Sequence, residues 1–139
     1  MNALLLTALL VLAGEARGEP ASRHTPEQLA IGAVREIVSA QAVYRQSFPD
    51  AGYACRLEPL VEADILLDTW LAGTRVEGYT FEIWCDGTDT PQTTFRASAV
   101  PVEKRPGATL TVCTDETNVV RAIESDVIAC FERGQAPGR

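Results

Sequence analysis

The hydrophobic positions near the start of the domain recur every three or four residues, which is the period of an α-helix with one buried face. Thr25, Pro26 and Gln28 precede this pattern and form a helix start signal, with a capping hydroxyl and proline at the first helical position. Pro49 follows it, so we predict a helix of about 22 residues that ends near residue 47. The face predicted to be buried comprises Ala30, Val34, Ile37, Val38, Gln41, Tyr44 and Phe48. The other side carries Glu27, Arg35, Glu36, Arg45 and Gln46.

A second, shorter helical pattern occupies residues 59–72. Gly73 stands where a left-handed C-cap would end this helix. The residues that can share its apolar face are Leu60, Val61, Ile65, Leu66, Trp70 and Leu71.

From residue 78 onward the period changes from 3.6 to 2, which is typical of strands. In residues 78–85, Tyr79, Phe81 and Ile83 point to one side, and Trp84 points to the other with its polar neighbours. Further strands are predicted at residues 93–102, 108–114 and 119–123, because turn-forming residues separate them. Residues 126–133 can add a helical turn, and residues 134–139 are expected to form a flexible polar tail.

Two helices followed by four consecutive strands predict an α+β domain, since a parallel sheet needs helices between its strands. We expect the first helix and the short second helix to pack on a four-stranded antiparallel meander sheet. The chain has 139 residues, which suits one domain, and we assign the globular part to residues 27–133. The residues predicted to be buried between helix and sheet are Val34, Ile37, Val38, Tyr44, Phe81 and Leu110.

Residues 3–13 read ALLLTALLVLA and carry no charge. A helix of this length spans only about half of a hydrocarbon core of roughly 30 Å, so it is too short to cross a membrane. It fits the apolar region of a signal peptide, and Ala16 and Gly18 supply the small residues expected before the cut. We predict a signal peptide at residues 1–18, a leader at residues 19–26, and export to the periplasm or the extracellular space without a stable membrane anchor. The alternative is a buried N-terminal helix.

The net charge of the chain is -7. Removal of residues 1–18 takes away Glu15 and Arg17, so the exported domain keeps this charge. An acidic domain is a poor ligand for phosphate backbones, which are bound mainly by lysine and arginine. We therefore expect no nucleic-acid partner.

Three segments of the chain, in order, resemble runs of type IV pilin-like proteins and pseudopilins. Residues 30–44 (AIGAVREIVSAQAVY) resemble the segment that follows the membrane anchor in those proteins. Residues 66–74 (LLDTWLAGT) with 78–81 (GYTF) resemble a later run, and residues 114–121 (TDETNVVR) resemble the closing hairpin. Asn118 stands where the family has glycine, and asparagine tolerates positive φ. The likeness covers about residues 27–130.

The resemblance implies a helix laid on an antiparallel sheet and a non-enzymatic, structural or interaction role. Its implied partners are other envelope or filament proteins, with the oligomeric state left open. The N-terminus departs from the family, since type IV pilins begin with a basic leader and an anchor of about 20 apolar residues that builds the filament core. The expectation is therefore an exported pilin-like domain without that anchor.

Export also determines what the four cysteines do, because cysteines in an oxidising compartment are normally paired. Four cysteines allow three connectivities, and four free thiols are the alternative if the chain is not exported. Cys113 ends the third strand and Cys130 follows the fourth, while Cys55 follows the first helix and Cys85 closes the first strand. We predict the pairs Cys55–Cys85 and Cys113–Cys130, which the C-terminal disulfide loop of pilin-like domains also implies.

No residue pattern predicts catalysis, a cofactor or a structural metal. His24 is the only histidine and lies in the leader, which disfavours Ser-His and Cys-His catalysis. Asp86 and Asp89 could hold calcium weakly, as a loop does in some pseudopilins, but a plain turn is the favoured interpretation. The remaining acidic positions are interpreted as turn or solvated residues: Asp115 and Glu116 in the last turn, and Glu58, Glu62, Asp64 and Asp68 along the second helix.

Two other functions remain open beside the pilin-like one. A secreted ligand-binding module would need an enclosed apolar cavity, and a hydrolase that uses carboxylates alone would need two of them in one pocket. Trp84 could anchor a partner, although cover by a loop is the commoner fate of such a residue.

Overall fold

The computed structural model describes residues 24–72 and 75–138. The predicted signal peptide (1–18), residues 19–23 of the leader and the predicted C-cap Gly73 lie outside the described residues, as do residues 74 and 139. The elements follow the α+β order predicted from the sequence. They are α1 (Pro26–Ser47), α2 (Glu58–Glu62), a 3-10 turn (Asp68–Trp70), β1 (Tyr79–Trp84), β2 (Arg96–Pro101), β3 (Thr111–Asp115), β4 (Arg121–Ile123) and α3 (Val127–Arg133).

α1 begins with the capping box that its sequence predicts. The Thr25 hydroxyl accepts a hydrogen bond from the Gln28 amide at 3.3 Å, and the Gln28 side chain accepts one from the Thr25 amide at 2.9 Å. The helix has 22 residues, in agreement with the predicted length. The first-turn N–H groups that no helical partner reaches are therefore partly satisfied by side chains.

The strands form one antiparallel sheet in the order β1-β2-β3-β4. α1 lies across one face of this sheet, mainly against β2 and β3. The contact is made largely by small residues, since Ala30 and Ala33 on α1 and Ala97 and Ala99 on β2 are all fully buried. Small side chains let helix and sheet approach closely, and the larger residues pack around this centre.

The predicted helix–sheet core is correct only in part. Val34 and Ile37 are fully buried, whereas Val38, Tyr44, Phe81 and Leu110 are half-buried. α1 lies over β2 and β3, so Phe81 on β1 stands to one side of the helix.

The predicted second helix at residues 59–72 is wrong in its length. α2 ends at Glu62, and Asp64 adopts a left-handed φ of 57°. The amides of Ile65 and Leu66 both donate to the carbonyl of Leu60, at 2.9 and 3.0 Å, which closes the helix. Aspartate tolerates this conformation better than most residues, so Asp64 ends the helix before the apolar pattern does.

The second face of the sheet is also covered, which the alternation of polar residues did not predict. α3 lies against β3 and β4, and Thr111 through Thr114 are consequently all buried. Trp84, the candidate anchor, is half-buried beneath Phe131 of α3, with the two rings edge to face at 5.8 Å. Cover by another element of the chain thus accounts for Trp84.

The C-terminal tail is partly held by the sheet. The amide of Ala122 on β4 donates to the carbonyl of Gln135 at 2.8 Å, and the Gln135 amide donates back at 3.2 Å. The predicted flexible tail, residues 134–139, therefore includes a residue paired with the edge of β4.

Candidate binding groove at the β1 edge

The acidic residues singled out from the sequence have different surroundings in the structure. Asp86 forms an exposed ion pair with Arg96 at 3.5 Å, and Asp115 accepts hydrogen bonds from the amide and hydroxyl of Thr117. His24 is exposed ahead of α1. The acidic residues of α2 and the segment after it, Glu58, Glu62, Asp64 and Asp68, are all exposed.

Within residues 24–72 and 75–138, no group of three or more His, Cys, Asp and Glu side chains is arranged to hold a metal ion. No helix in that same part of the chain is long and apolar enough to span a bilayer.

Two carboxylates assigned to the solvated side of α1 have specific partners. Glu27 Oε1 accepts hydrogen bonds from the amide and hydroxyl of Thr109, at 2.7 and 2.8 Å. Glu36 forms an ion pair with Arg75. The helical period cannot reveal these contacts, because both partners come from segments that are distant along the chain.

One ionisable group in the described residues has a clearly shifted pKa. Burial, together with a smaller effect of the Glu27 carboxylate, raises the pKa of Tyr79 to about 12. Its hydroxyl donates to the carbonyl of Leu110 at 2.8 Å. Tyr79 is therefore a neutral structural donor at physiological pH.

The four cysteines form two disulfides. Cys55 is joined to Cys85, with Cα atoms 5.1 Å apart, and Cys113 is joined to Cys130, with Cα atoms 6.2 Å apart. This is the pairing favoured from the sequence. Two disulfides in a small domain indicate an oxidising compartment.

The two edges of the sheet differ in whether their backbone groups have partners. β4 is paired with Gln135, as described above, whereas no strand formed by residues 24–72 or 75–138 lies beyond β1. The amide of Val102 donates to the carbonyl of Gly78 at 2.8 Å, which sets the alternation of hydrogen bonds between β1 and β2. In an antiparallel pair only alternate residues bond to the neighbouring strand. The N–H and C=O groups of Phe81 and Ile83 therefore point away from β2, toward the free edge.

A groove runs beside this free edge. Its first part is a cavity of about 210 Å³ lined by Arg56, Leu57, Glu58, Phe81, Glu82 and Ile83. The Cys55–Cys85 disulfide ties the segment before Arg56 to the C-terminal end of β1. The segment containing Leu57 and Glu58 thus forms one wall, and β1 forms the other.

A second cavity, of about 340 Å³, shares Leu57, Glu58 and Phe81 with the first. It continues past the start of β1 to Leu71 and Val102, whose side chains are strongly exposed. We call the two cavities together the edge groove. It combines apolar walls with the unpaired backbone of an edge strand.

Trp70 lines the second cavity and has an unsatisfied donor. Its indole ring is 3% exposed, lies edge-on to Phe81 with the centroids 5.1 Å apart, and has the Arg75 guanidinium 5.5 Å from its centroid. Its Nε1 is buried and has no hydrogen-bond partner. A buried indole N–H normally finds an acceptor, because leaving it unpaired costs free energy.

Sequence reasoning did not find the edge groove. The predicted meander places the first strand at an edge of the sheet, but it does not say what lies beside that edge. The wall formed by residues 55–58 depends on the disulfide and on the early end of α2. The advance signals were the predicted meander and the prediction that Cys85 closes the first strand and bonds to Cys55.

The chain matches no known family model, no curated protein and no solved structure.

Proposed function

We propose that this protein is an exported, non-enzymatic pilin-like domain that binds other proteins of the bacterial envelope. The three ordered sequence runs support the pilin-like assignment, and so does the placement of α1 across an antiparallel meander. The Cys113–Cys130 bridge near the C-terminus is the disulfide loop that the resemblance implies. The proposed location is the periplasm or the extracellular space.

The observation that carries the binding role is the free edge of β1 beside the edge groove. Natural sheets usually pair, cover or shorten their edges, because unpaired strand groups attract other chains. The tail pairs with the edge of β4, and no described strand pairs with Phe81 and Ile83 at the edge of β1. A surface with this combination suits another polypeptide.

The alternative of a secreted ligand-binding module has weaker support. The described cavities are grooves open to solvent, with volumes of about 210 and 340 Å³ at β1. Small-molecule sites usually bury most of the ligand's surface in an enclosed cavity. A carboxylate-only hydrolase has less support still. Glu58 and Glu82 both line the first cavity, but both residues are exposed to solvent, whereas the general acid of such enzymes is set in an apolar, buried site.

Export and envelope association can be tested together in a bacterium that expresses the full chain with a C-terminal tag. We expect N-terminal sequencing to begin near Glu19, and we expect a cell-impermeant amine crosslinker to join the tagged protein to envelope or filament proteins. Recovery of the intact Met1 form in the cytosol would overturn the proposal. So would an exported product that crosslinks no more than an exported protein of similar charge and size.

A further inference from the structure

We propose that the edge groove binds an extended, basic segment of a partner protein, which adds to β1 as a fifth strand of the sheet. The proposal rests on the proposed function in one respect, namely that the domain binds protein. It specifies the surface, the mode of binding and the chemistry of the partner.

The backbone of β1 supplies the primary contact. The N–H and C=O groups of Phe81 and Ile83 face the free edge, so an added strand can exchange backbone hydrogen bonds with both residues. Strand addition draws its affinity from such main-chain bonds and its specificity from pockets for alternate side chains. The edge groove lies on this side of β1 and provides those pockets.

The side chains along β1 determine which residue types the added strand should carry at each position. A residue directly opposite in an added antiparallel strand projects to the same face as the residue it pairs with. Residues opposite Phe81 and Ile83 would lie beside Leu57, which favours apolar side chains. The residue between them would lie opposite the exposed Glu82 on the other face, which favours lysine or arginine. The expected motif is apolar-basic-apolar in an extended segment.

Charge also argues against a second copy of this chain as the occupant. If β1 paired with β1 of another copy so that Phe81 met Ile83, each Glu82 would face the other Glu82. Like charges directly opposite each other destabilise a strand pair, and the net charge of -7 on each copy adds a general repulsion. A basic segment is attracted by Glu58 and Glu82, two carboxylates that line the first cavity with one cation, Arg56.

Trp70 provides a spectroscopic probe of the edge groove. Trp70 lines the part of the groove that continues beyond the start of β1. Trp70 would therefore report binding through its fluorescence, and a Trp84→Phe background removes the other tryptophan signal.

The test uses the oxidised, exported product labelled with ¹⁵N and a seven-residue capped peptide of alternating valine and lysine. We expect the peptide to slow hydrogen exchange at the amides of Phe81 and Ile83 at least tenfold at saturation. Two matched peptides serve as controls, one with glutamate in place of lysine and one with N-methyl groups on alternate backbone nitrogens. Both should bind at least fivefold more weakly than the lysine peptide.

Two charge-reversal variants test the role of Glu82. Glu82→Lys should reverse the preference between the lysine and glutamate peptides, whereas Glu116→Lys, in the turn between β3 and β4, changes the net charge equally and should keep it. An unchanged preference in Glu82→Lys would overturn the charge assignment.

Other outcomes would overturn strand addition itself. These are equal binding of the N-methylated peptide, no binding of the lysine peptide at millimolar concentration, or binding without protection of Phe81 and Ile83. If the amides of Phe81 and Ile83 exchange slowly in the protein without peptide, and this protection is lost on dilution, the edge of β1 binds a second copy of the chain instead. In each of these cases crosslinking to envelope proteins in cells could persist, so failure of the inference is distinguishable from failure of the proposed function.

Discussion

Gln41 of α1 forms two hydrogen bonds with the backbone of Ala54. Its Nε2 donates to the Ala54 carbonyl at 2.7 Å, and its Oε1 accepts from the Ala54 amide at 2.9 Å. Both residues are buried. This contact fixes the chain immediately before Cys55, so α1 positions the wall of the edge groove through one side chain.

Replacement of Gln41 by alanine should therefore be strongly destabilising. The variant leaves a buried amide and a buried carbonyl without partners, which is expected to lower the free energy of unfolding by about 2 to 4 kcal/mol. Urea denaturation of the oxidised protein measures this change. Gln46→Ala, at an exposed position of the same helix, should change it by less than about 0.5 kcal/mol. Similar values for both variants would show that the Gln41–Ala54 contact carries little stability.

The two disulfides should differ in their access to reductants. Cys113 and Cys130 are both fully buried, whereas Cys55 and Cys85 are half-buried. We expect a mild thiol reductant under native conditions to open the Cys55–Cys85 bridge first. Alkylation of the released thiols followed by peptide mass spectrometry identifies the order. Earlier or simultaneous opening of Cys113–Cys130 would contradict the arrangement of α3 over the sheet.

Loss of either bridge should also weaken the fold. On the chain-entropy model, loops of 30 and 17 residues each correspond to roughly 3 to 4 kcal/mol of stability. The double variants Cys55→Ala with Cys85→Ala, and Cys113→Ala with Cys130→Ala, should show losses of this size in urea denaturation. A loss below about 1 kcal/mol for either double variant would contradict this expectation.

Phe131 should matter more than its partial exposure suggests. It covers Trp84, and the Arg96 guanidinium lies 5.2 Å from the centroid of its ring. Phe131→Ala should lower the free energy of unfolding by about 1 to 3 kcal/mol and shift the emission of Trp84 to longer wavelength. Ile128→Ala, at a strongly exposed site on the same helix, should leave both quantities nearly unchanged. Equal effects of the two variants would mean that α3 does not cover Trp84 in solution.

The raised pKa of Tyr79 predicts that the protein loses stability as the pH rises above 10. Burial and the Glu27 carboxylate raise the pKa of Tyr79 to about 12, so the unfolded chain releases this proton at lower pH than the folded one. The contribution of Tyr79 to stability is complete below pH 10 and is lost as the pH rises toward 12. We expect Tyr79→Phe to cost about 1 kcal/mol at pH 8 and progressively less above pH 10. A difference that stays constant up to pH 11 would contradict the raised pKa.

The sequence predicts the order of the helices and strands. It does not predict where each element ends or which other elements cover it. The change of period at residue 78 and the turn residues between strands predict the meander, because both are local signals. The end of α2 at Asp64 was missed, because a left-handed aspartate is rarer than the glycine that was expected to end the helix. Thr111 and Cys113 are buried because α3 folds back over β3, which is a tertiary effect that alternation alone cannot show.

The edge groove depends on the same kind of non-local information. Glu82 and Phe81 could be placed on opposite faces of a strand from their spacing alone. The predicted meander also places β1 at an edge. That Leu57 stands beside this edge follows only from the folded structure, in which the Cys55–Cys85 bridge holds the preceding segment against β1. Glu27 and Glu36 on α1 show the same limit of sequence-based prediction. Their partners lie 82 and 39 residues away along the chain, so helical periodicity could not identify them.

The most direct test of a binding surface at β1 is site-specific photo-crosslinking in living cells. Val102 and Ile128 are a matched pair, since their exposed fractions are 73% and 69%, but only Val102 lies at the edge groove. A photoreactive amino acid at each site in turn would be activated in cells that express the exported protein. The account predicts that position 102 crosslinks to an extended basic segment of an envelope protein and that position 128 does not. The absence of a crosslink at position 102, or the same crosslinked proteins at both positions, would contradict it.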